Sequence, residues 1–297
     1  MIDYRINTIL AVDEEKNFTK AAEKLCLTQP AVSHHIKELE EELNTQLFIR
    51  KKGDVVSTQA GEIVINYARK FQAMYDKMKQ EINISNNKIN LKIGITHTSE
   101  SNKTTEVIGT FLNNHKGISM TILSDSTNNL YQMIENYELD FAIVDQKLDN
   151  NLNYLPLDTD FLVCVINNTS PLVNKKMIKI EELKKENLIL RLPSSSTRML
   201  FDASLESINE SINNFNVIME LDNIATIKEL IRKNMGVSIL AKSACMYEVK
   251  KNKLSILPIE NLSMNRIIYF VYTDNFKYLD LLNELKKLYE SMNLDLV

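Results

Sequence analysis

Three consecutive stretches decide the fold: Asn17–Phe18–Thr19–Lys20–Ala21–Ala22–Glu23–Lys24–Leu25, Thr28–Gln29–Pro30–Ala31–Val32–Ser33 and Ile36–Lys37–Glu38–Leu39–Glu40. Asn17 and Thr28 carry side chains that accept from the unpaired N–H groups of a helix's first turn, so each marks a helix start. Ala21 and Ala22 allow close backbone approach, and Leu25 is placed to face a core. Pro30 falls in the first turn of the next helix, where its missing N–H costs nothing. That helix spaces Val32, Ile36, Leu39 and Leu43 by 4, 3 and 4, a single apolar stripe. Asn44 follows, where a left-handed C-cap is expected. Two helices so joined form a helix-turn-helix. Upstream, Asp3 can cap a helix with Ile6, Ile9, Leu10 and Val12 on its apolar side. Downstream, Phe48 and Val55–Val56 flank Gly53–Asp54, which reads as a two-stranded wing turning at Gly53.

A helix that enters a DNA major groove needs small, hydrogen-bonding residues at its exposed N-terminal end. Gln29, Ser33, His34 and Lys37 supply them, while Val32 and Ile36 point the other way. Gln can bond adenine through two contacts, and Ser, His and Lys can reach bases or phosphates. Arg50, Lys51 and Lys52 form the one compact basic run, placed where a wing would cross the backbone. His35 competes with His34 for the DNA side, and sequence does not choose between them. The overall charge gives no support: it is −4 for the chain, so any DNA binding has to come from local geometry. The acidic residues Glu38, Glu40, Glu41 and Glu42 fall on the C-terminal half of the third helix, away from the expected DNA side.

From Thr58 to about Asn86 the pattern predicts one long helix. Val64, Ala68, Phe71, Tyr75, Met78 and Ile82 follow an alternating 4–3 spacing, which predicts a seam for pairing with a second copy. After the polar Ser85–Lys88 the texture becomes alternating strands and helices, an α/β region with a largely parallel sheet. Strands are expected at 91–96, 119–124, 141–144, 161–166, 188–191, 217–220, 237–241 and 267–272.

The three opening stretches, together with Leu47–Phe48–Ile49–Arg50 and Thr58–Gln59–Ala60–Gly61 at the same spacing, closely resemble the LysR-type transcriptional regulators. The match is specific over about 60 residues, and the chain's length suits the family. The resemblance implies an α+β multidomain fold. A winged helix-turn-helix at 1–58 leads into a linker and dimerisation helix at 59–87. A two-subdomain effector-binding domain of the type 2 periplasmic-binding-protein kind follows at 88–297, with subdomain I near 88–161 and 267–297 and subdomain II near 162–266. It also implies a homodimer or homotetramer on double-stranded promoter DNA, with RNA polymerase as a further candidate partner. Thr28, Gln29, Pro30, Ser33, His34, Lys37, Arg50, Lys51 and Lys52 are then the DNA-binding residues. Two departures are visible: Gly53 stands where a basic residue is common, and Ser57 replaces a usual apolar residue.

The same resemblance places an effector between the subdomains, at polar strand ends and helix starts, in line with the general rule for open α/β sheets. Thr96–His97–Thr98–Ser99, Asp145 and Ser194–Ser195–Ser196–Thr197–Arg198 fit. The serine-rich run before a helix, with Arg198, suits a carboxylate or inorganic anion, although ordinary helix capping explains the same residues. His97 reads equally as a structural histidine, and Asp222 and Asn223 read as caps.

Other classes fare poorly. The four histidines fall in no nucleophile or metal motif, and six glycines leave little room for a phosphate loop, so no enzyme, metal or cofactor is expected beyond an effector of unknown identity. A solute-binding protein of the same C-terminal fold is the alternative, but it has no use for residues 1–58. Cys26, Cys164 and Cys245 show no ligand or disulfide spacing and are expected to be reduced. No apolar run is long enough to span a bilayer, and Met1–Leu10 has no cleavage site of a signal peptide. A cytoplasmic protein is therefore expected, with no membrane partner.

Overall fold

The computed structural model describes residues 3–51, 54–82, 89–100, 102–148 and 151–294. The chain divides into two compact units, residues 1–89 with 132–139, and residues 90–131 with 140–297.

In the first unit, α1 (Tyr4–Glu15), α2 (Phe18–Leu25) and α3 (Gln29–Glu42) precede the antiparallel pair β1 (Phe48–Lys51) and β2 (Asp54–Ser57), followed by α4 (Gln59–Ile82). Each expected cap is made. Asp3 accepts from the Arg5 N–H, Asn17 from Thr19 and Lys20, and Thr28 from Ala31. Asn44 has φ 49°, the left-handed conformation expected after α3. Ile9, Val12, Ala21, Ala22, Val32 and Ile36 bury together with Leu47, Phe48, Val55 and Ile65. Leu39 packs beside them, but Leu43 at the end of the stripe is exposed. Lys52 and Gly53, the tip of the expected wing, lie outside the described residues.

The second unit holds β3 (Ile89–Thr96), α5 (Asn102–Asn114), β4 (Ile118–Asp125) and the start of α6 (Thr127–Glu135). Next come β5 (Phe141–Val144), the 15-residue β6 (Asn153–Asn167), α7 (Ile180–Leu183), β7 (Asn187–Arg191) and α8 (Ser196–Ser207). Then follow β8 (Asn216–Leu221), α9 (Ile224–Arg232), β9 (Ser238–Ala241), α10 (Lys242–Lys250), β10 (Leu254–Leu257), β11 (Asn265–Tyr272) and α11 (Leu279–Leu294). The strands run β10–β6–β11–β5–β3–β4, with β9 also on β6 and a separate parallel pair β7–β8.

The largely parallel sheet expected from sequence is in fact mixed. β3 and β5 are parallel, but β11 is antiparallel to both β5 and β6, and β6 is antiparallel to β9 and β10. The reason is β6, which begins at Asn153, well before the strand expected at Phe161. Its first half pairs with β11, and its second half, from Leu162, pairs with β9 and β10. One strand thus serves both subdomains. Pro156 masks its first half in sequence, because proline demotes a strand. Here Pro156 sits beside the register shift opposite Ile268/Tyr269, where the ladder tolerates a missing donor.

Candidate functional site

The helix-turn-helix face is built by α3. Val32 and Ile36 are buried against α1 and α2, which leaves Thr28, Pro30, His34 and Lys37 exposed and Gln29 and Ser33 half-buried. Gln29 Nε2 donates to Ser33 Oγ at 2.7 Å, so the two expected base-reading side chains already share one orientation. The choice between the histidines is geometric. His35 Nδ1 lies 3.0 Å from Thr8 Oγ1, with its ring edge-on to Tyr4 at 4.6 Å, so it is engaged with α1. His34 is 69% exposed on the other side. Arg50 and Lys51 belong to β1, and Lys52 lies outside the described residues.

Two contacts hold this face, and both escape a reading by residue type. Glu40 Oε1 accepts from the Leu47 and Phe48 N–H groups at 2.7 and 3.2 Å, so an acidic residue closes the connection into the wing. Thr58 caps α4 through the Gly61 N–H at 3.0 Å and donates to the Gln46 carbonyl at 2.6 Å. A Cβ on Gly61 would overlap the Leu47 carbonyl oxygen.

The exposed stripe of α4 differs from the expected seam. Val64 and Ala68 pack into the helix-turn-helix core beside Ile65, and Arg69 bonds Asp13 of α1 at 2.7 Å. Ile63, Tyr67, Phe71, Met74, Met78 and Ile82 are exposed. At roughly 100° per residue they make one stripe, rotated by about 50° from the expected one. Phe71, Met78 and Ile82 belong to both. Tyr75 is half-buried at the margin.

In the second unit a cavity of about 300 Å³ opens at the carboxyl ends of β3, β4, β7 and β8. Of the residues singled out in sequence, Thr96, His97, Thr98, Ser194, Ser195 and Ser196 line it. Ser99, Asp145, Thr197 and Arg198 do not. Ser99 is buried and accepts from Thr96 Oγ1 at 2.9 Å. Thr197 is buried in the first turn of α8. Arg198 turns back: its Nε bonds both oxygens of Asp202 at 2.9 and 3.0 Å, and its Nη1 bonds Glu220 at 2.5 Å. Two carboxylates therefore already neutralise the arginine expected to receive an anion.

Asp145 forms a floor beneath the cavity. Its Oδ2 accepts from Thr98 Oγ1 at 2.5 Å, Ser196 Oγ at 2.7 Å and Arg266 Nη1 at 2.5 Å. Arg266 Nη2 donates on to Asp160 Oδ2 at 2.9 Å, which also accepts from Ser243 Oγ at 2.7 Å. The network ties the strand ends of one subdomain (Thr98, Asp145) to helix starts of the other (Ser196, Ser243) through the shared strands β6 and β11.

Sequence reading missed two parts of the wall. Asp125, Ser126, Thr127, Asn128 and Asn129, at the end of β4 and the start of α6, line the cavity; the signal was a polar run after a strand, the same signal that marked 96–99. Arg191 and Asp222 line it as well. Arg191 ends the apolar run Leu188–Leu190 of β7, a charge where a strand stops. Asp222 was read as a cap, but the cap of α9 is Asn223, which accepts from the Thr226 N–H. His97 lines the cavity too.

Cys164 and Cys245 are buried. Burial pushes the Cys245 thiol up to about 12 and the Cys164 thiol higher still, so neither presents the thiolate a redox sensor needs near neutral pH. Among the described residues no cluster of three or more His, Cys, Asp or Glu is placed to hold a metal, and no helix is long and apolar enough to cross a membrane.

Comparison with known proteins gives a consistent result. A family model described as "Bacterial regulatory helix-turn-helix protein, lysR family" matches residues 5–62, and one described as "LysR substrate binding domain" matches residues 87–286. The chain is 29% identical over 275 residues to a probable RuBisCO transcriptional regulator of Trieres chinensis, covering 90% of this chain and 89% of the relative. The fold is similar to that of full-length CbnR complexed with its target DNA (TM-score 0.69, 14% identity, 98% and 99% of the two chains covered). It is also similar to the CcmR regulatory domain of Synechocystis PCC6803 in complex with 2-PG (TM-score 0.59, 24% identity, 68% and 96% covered).

Proposed function

We propose, from the premise that this chain belongs to the LysR family of helix-turn-helix transcriptional regulators, that it reads promoter DNA with α3 and responds to a small-molecule effector held in the cavity at the ends of β3, β4, β7 and β8. The observation that carries the reading is the division of labour on α3: Val32 and Ile36 are locked inside, while Gln29, Ser33, His34 and Lys37 stand on the outward flank. Two copies pair along the exposed stripe of α4, which puts two recognition helices in successive major grooves about one turn of DNA, roughly 34–36 Å, apart. Such dimers can pair again into tetramers, with RNA polymerase contacted at the promoter. The target DNA and 2-PG named for the two related structures support a DNA target and a small effector here. The role is non-enzymatic, needs no cofactor besides the effector, and belongs in the cytoplasm.

The effector works by binding two arrangements of the subdomains unequally, since a ligand with equal affinity for both shifts nothing. Thr98 and Ser196, from opposite sides, meet on Asp145, so the cavity floor is the natural place for that difference to be felt.

A gel-shift titration of the full chain against its own upstream DNA tests the reading. Specific retardation is expected, lost on Ser33→Asp and weakened on Gln29→Ala. Affinity should fall about 100-fold between 50 and 200 mM salt if a dimer neutralises roughly four phosphates. Unaltered binding by both variants removes α3 as the reading helix, and absence of specific binding favours a solute-binding role alone.

A further inference from the structure

Arg191 is the one cation in the cavity wall whose hydrogen bonds are incomplete. Its side chain is 3% exposed, yet among the described residues only Nη2 has a side-chain partner, Asp222 Oδ1 at 2.7 Å. Nε and Nη1 are buried with no hydrogen-bond partner. A buried guanidinium in this condition is costly, because each unpaired donor keeps its desolvation penalty without a compensating bond. Asp222 compensates poorly. Its side chain is 57% exposed, and it gives a partner to only one nitrogen of a guanidinium that carries five N–H donors.

The geometry of the one bond matters. A guanidinium offers two forks of parallel N–H donors to an oxyanion, end-on through Nη1 and Nη2 or side-on through Nε and Nη2. Nη2 belongs to both. By sitting on Nη2 alone, Asp222 closes both forks while filling neither. The neighbouring arginine cannot take the role, since Arg198 is held by Asp202 and Glu220. The other carboxylate in the wall, Asp125, is occupied locally: its Oδ1 accepts from the Ser126 N–H at 2.6 Å and from Asn129 Nδ2 at 2.8 Å. The start of α8, capped by Ser195, faces the same space and adds the positive end of a 12-residue helix.

We propose that Arg191 is the anion receptor of this cavity and that Asp222 is its built-in placeholder, displaced when an effector's carboxylate or phosphate group takes a fork of the guanidinium. The inference rests on the cavity being the effector site and names the chemistry that site selects. Apart from these charged groups and His97, the wall is mainly hydroxyl and amide, with Thr98, Ser126, Asn128 and Ser196 against Leu192 and Met199 as the larger apolar groups. The effector class is therefore a small, hydrophilic oxyanion, either an organic acid or a phosphate ester.

Thermal unfolding of the full chain, at fixed pH and ionic strength, tests this with sodium phosphate and sodium succinate as separate probes and glycerol as the neutral control. At least one anion is expected to raise the unfolding midpoint of the wild type, with glycerol inert. Phosphate alone acting identifies a phosphate-type effector, and succinate alone a carboxylate-type one. Asp222→Asn, which keeps the shape and removes the competing charge, is expected to reach half-effect at about tenfold lower anion concentration. Arg191→Gln is expected to lose the response, and so is the double variant. Because Arg191→Gln removes a buried charge and can impair folding, Asp222→Asn is the decisive variant. Half-effect at an unchanged or higher concentration in Asp222→Asn, a normal response in Arg191→Gln, or no response to either anion in both wild type and Asp222→Asn overturns the assignment. Gel-shift behaviour keeps the two readings separable. A chain that binds its promoter but ignores these anions loses only the Arg191 receptor, whereas one that binds anions but no DNA loses the regulator reading.

Discussion

At the scale of single residues, the reading head depends on side chains that carry no charge toward DNA. Gly61 lies where the first turn of α4 passes the Leu47 carbonyl, and that oxygen already accepts the Thr58 N–H at 2.9 Å. Neither backbone can retreat without losing a bond that closes the wing. Gly61→Ala is accordingly expected to lower stability by about 1–3 kcal/mol, the range for forcing an extra methyl into a packed site. Urea unfolding measures it, and a midpoint equal to that of wild type would show that the turn relaxes freely. Replacing glycine by alanine inside a helix otherwise stabilises by about 0.5–1 kcal/mol, so the sign of the change discriminates. Gly61 was legible in sequence as part of a family pattern. Its physical cause was not, because the clash is with a carbonyl 14 residues away. The same holds for Glu40: read by type it is one more acid on the far half of α3, and only the fold brings Leu47 and Phe48 to its carboxylate.

At the scale of elements, α4 shows what periodicity can and cannot resolve. The alternating 4–3 spacing correctly announces a long amphipathic helix, and sequence placed its start within a residue. It does not say which of two adjacent apolar stripes meets its own domain. Val64 and Ala68 go inward because Ile65 and the Arg69–Asp13 pair fix the rotation of α4 against α1. Phe71 and Met74 are left facing solvent at 52% and 54% exposure. Phe71→Asp combined with Met74→Asp is expected to convert a dimer to a folded monomer, seen as halved mass in light scattering with the helical signal retained. Val64→Asp is expected to unfold the helix-turn-helix head instead, because it buries an unpaired charge. If Val64→Asp yields a folded monomer and the outer pair has no effect, the seam is the inner stripe and not the exposed one. β6 failed in sequence for another reason. Its first half carries Pro156, Asp158 and Asp160, and such a run reads as loop until β11 supplies a partner with a matching shift in register.

At the scale of the whole molecule, charge is distributed against expectation. The chain carries 39 acidic and 35 basic side chains, and among the described residues a buried ion network lies next to the cavity at the ends of β3, β4, β7 and β8. Arg266 is 5% exposed between Asp145 at 0% and Asp160 at 5%. Two carboxylates around one guanidinium leave the cluster net negative, and the hydroxyls of Thr98, Ser196 and Ser243 spread the remaining charge. These residues come from six separate places in the chain, which is why sequence reading singled out Asp145 at a strand end but not the buried network it joins. A buried pair broken on one side costs far more than a pair replaced on both. Arg266→Met is therefore expected to lower the stability of the second unit by about 3–5 kcal/mol, visible as an earlier transition in tyrosine fluorescence on urea unfolding. Adding Asp145→Leu and Asp160→Leu is expected to recover most of that loss while leaving the cavity without its polar floor. Such a triple variant should still bind promoter DNA but no longer change its DNA affinity on effector addition, since Thr98 and Ser196 lose the carboxylate on which the two subdomains meet. If the triple variant unfolds as early as Arg266→Met alone, packing rather than stranded charge accounts for the loss; if it still responds to effector, the floor does not transmit the signal.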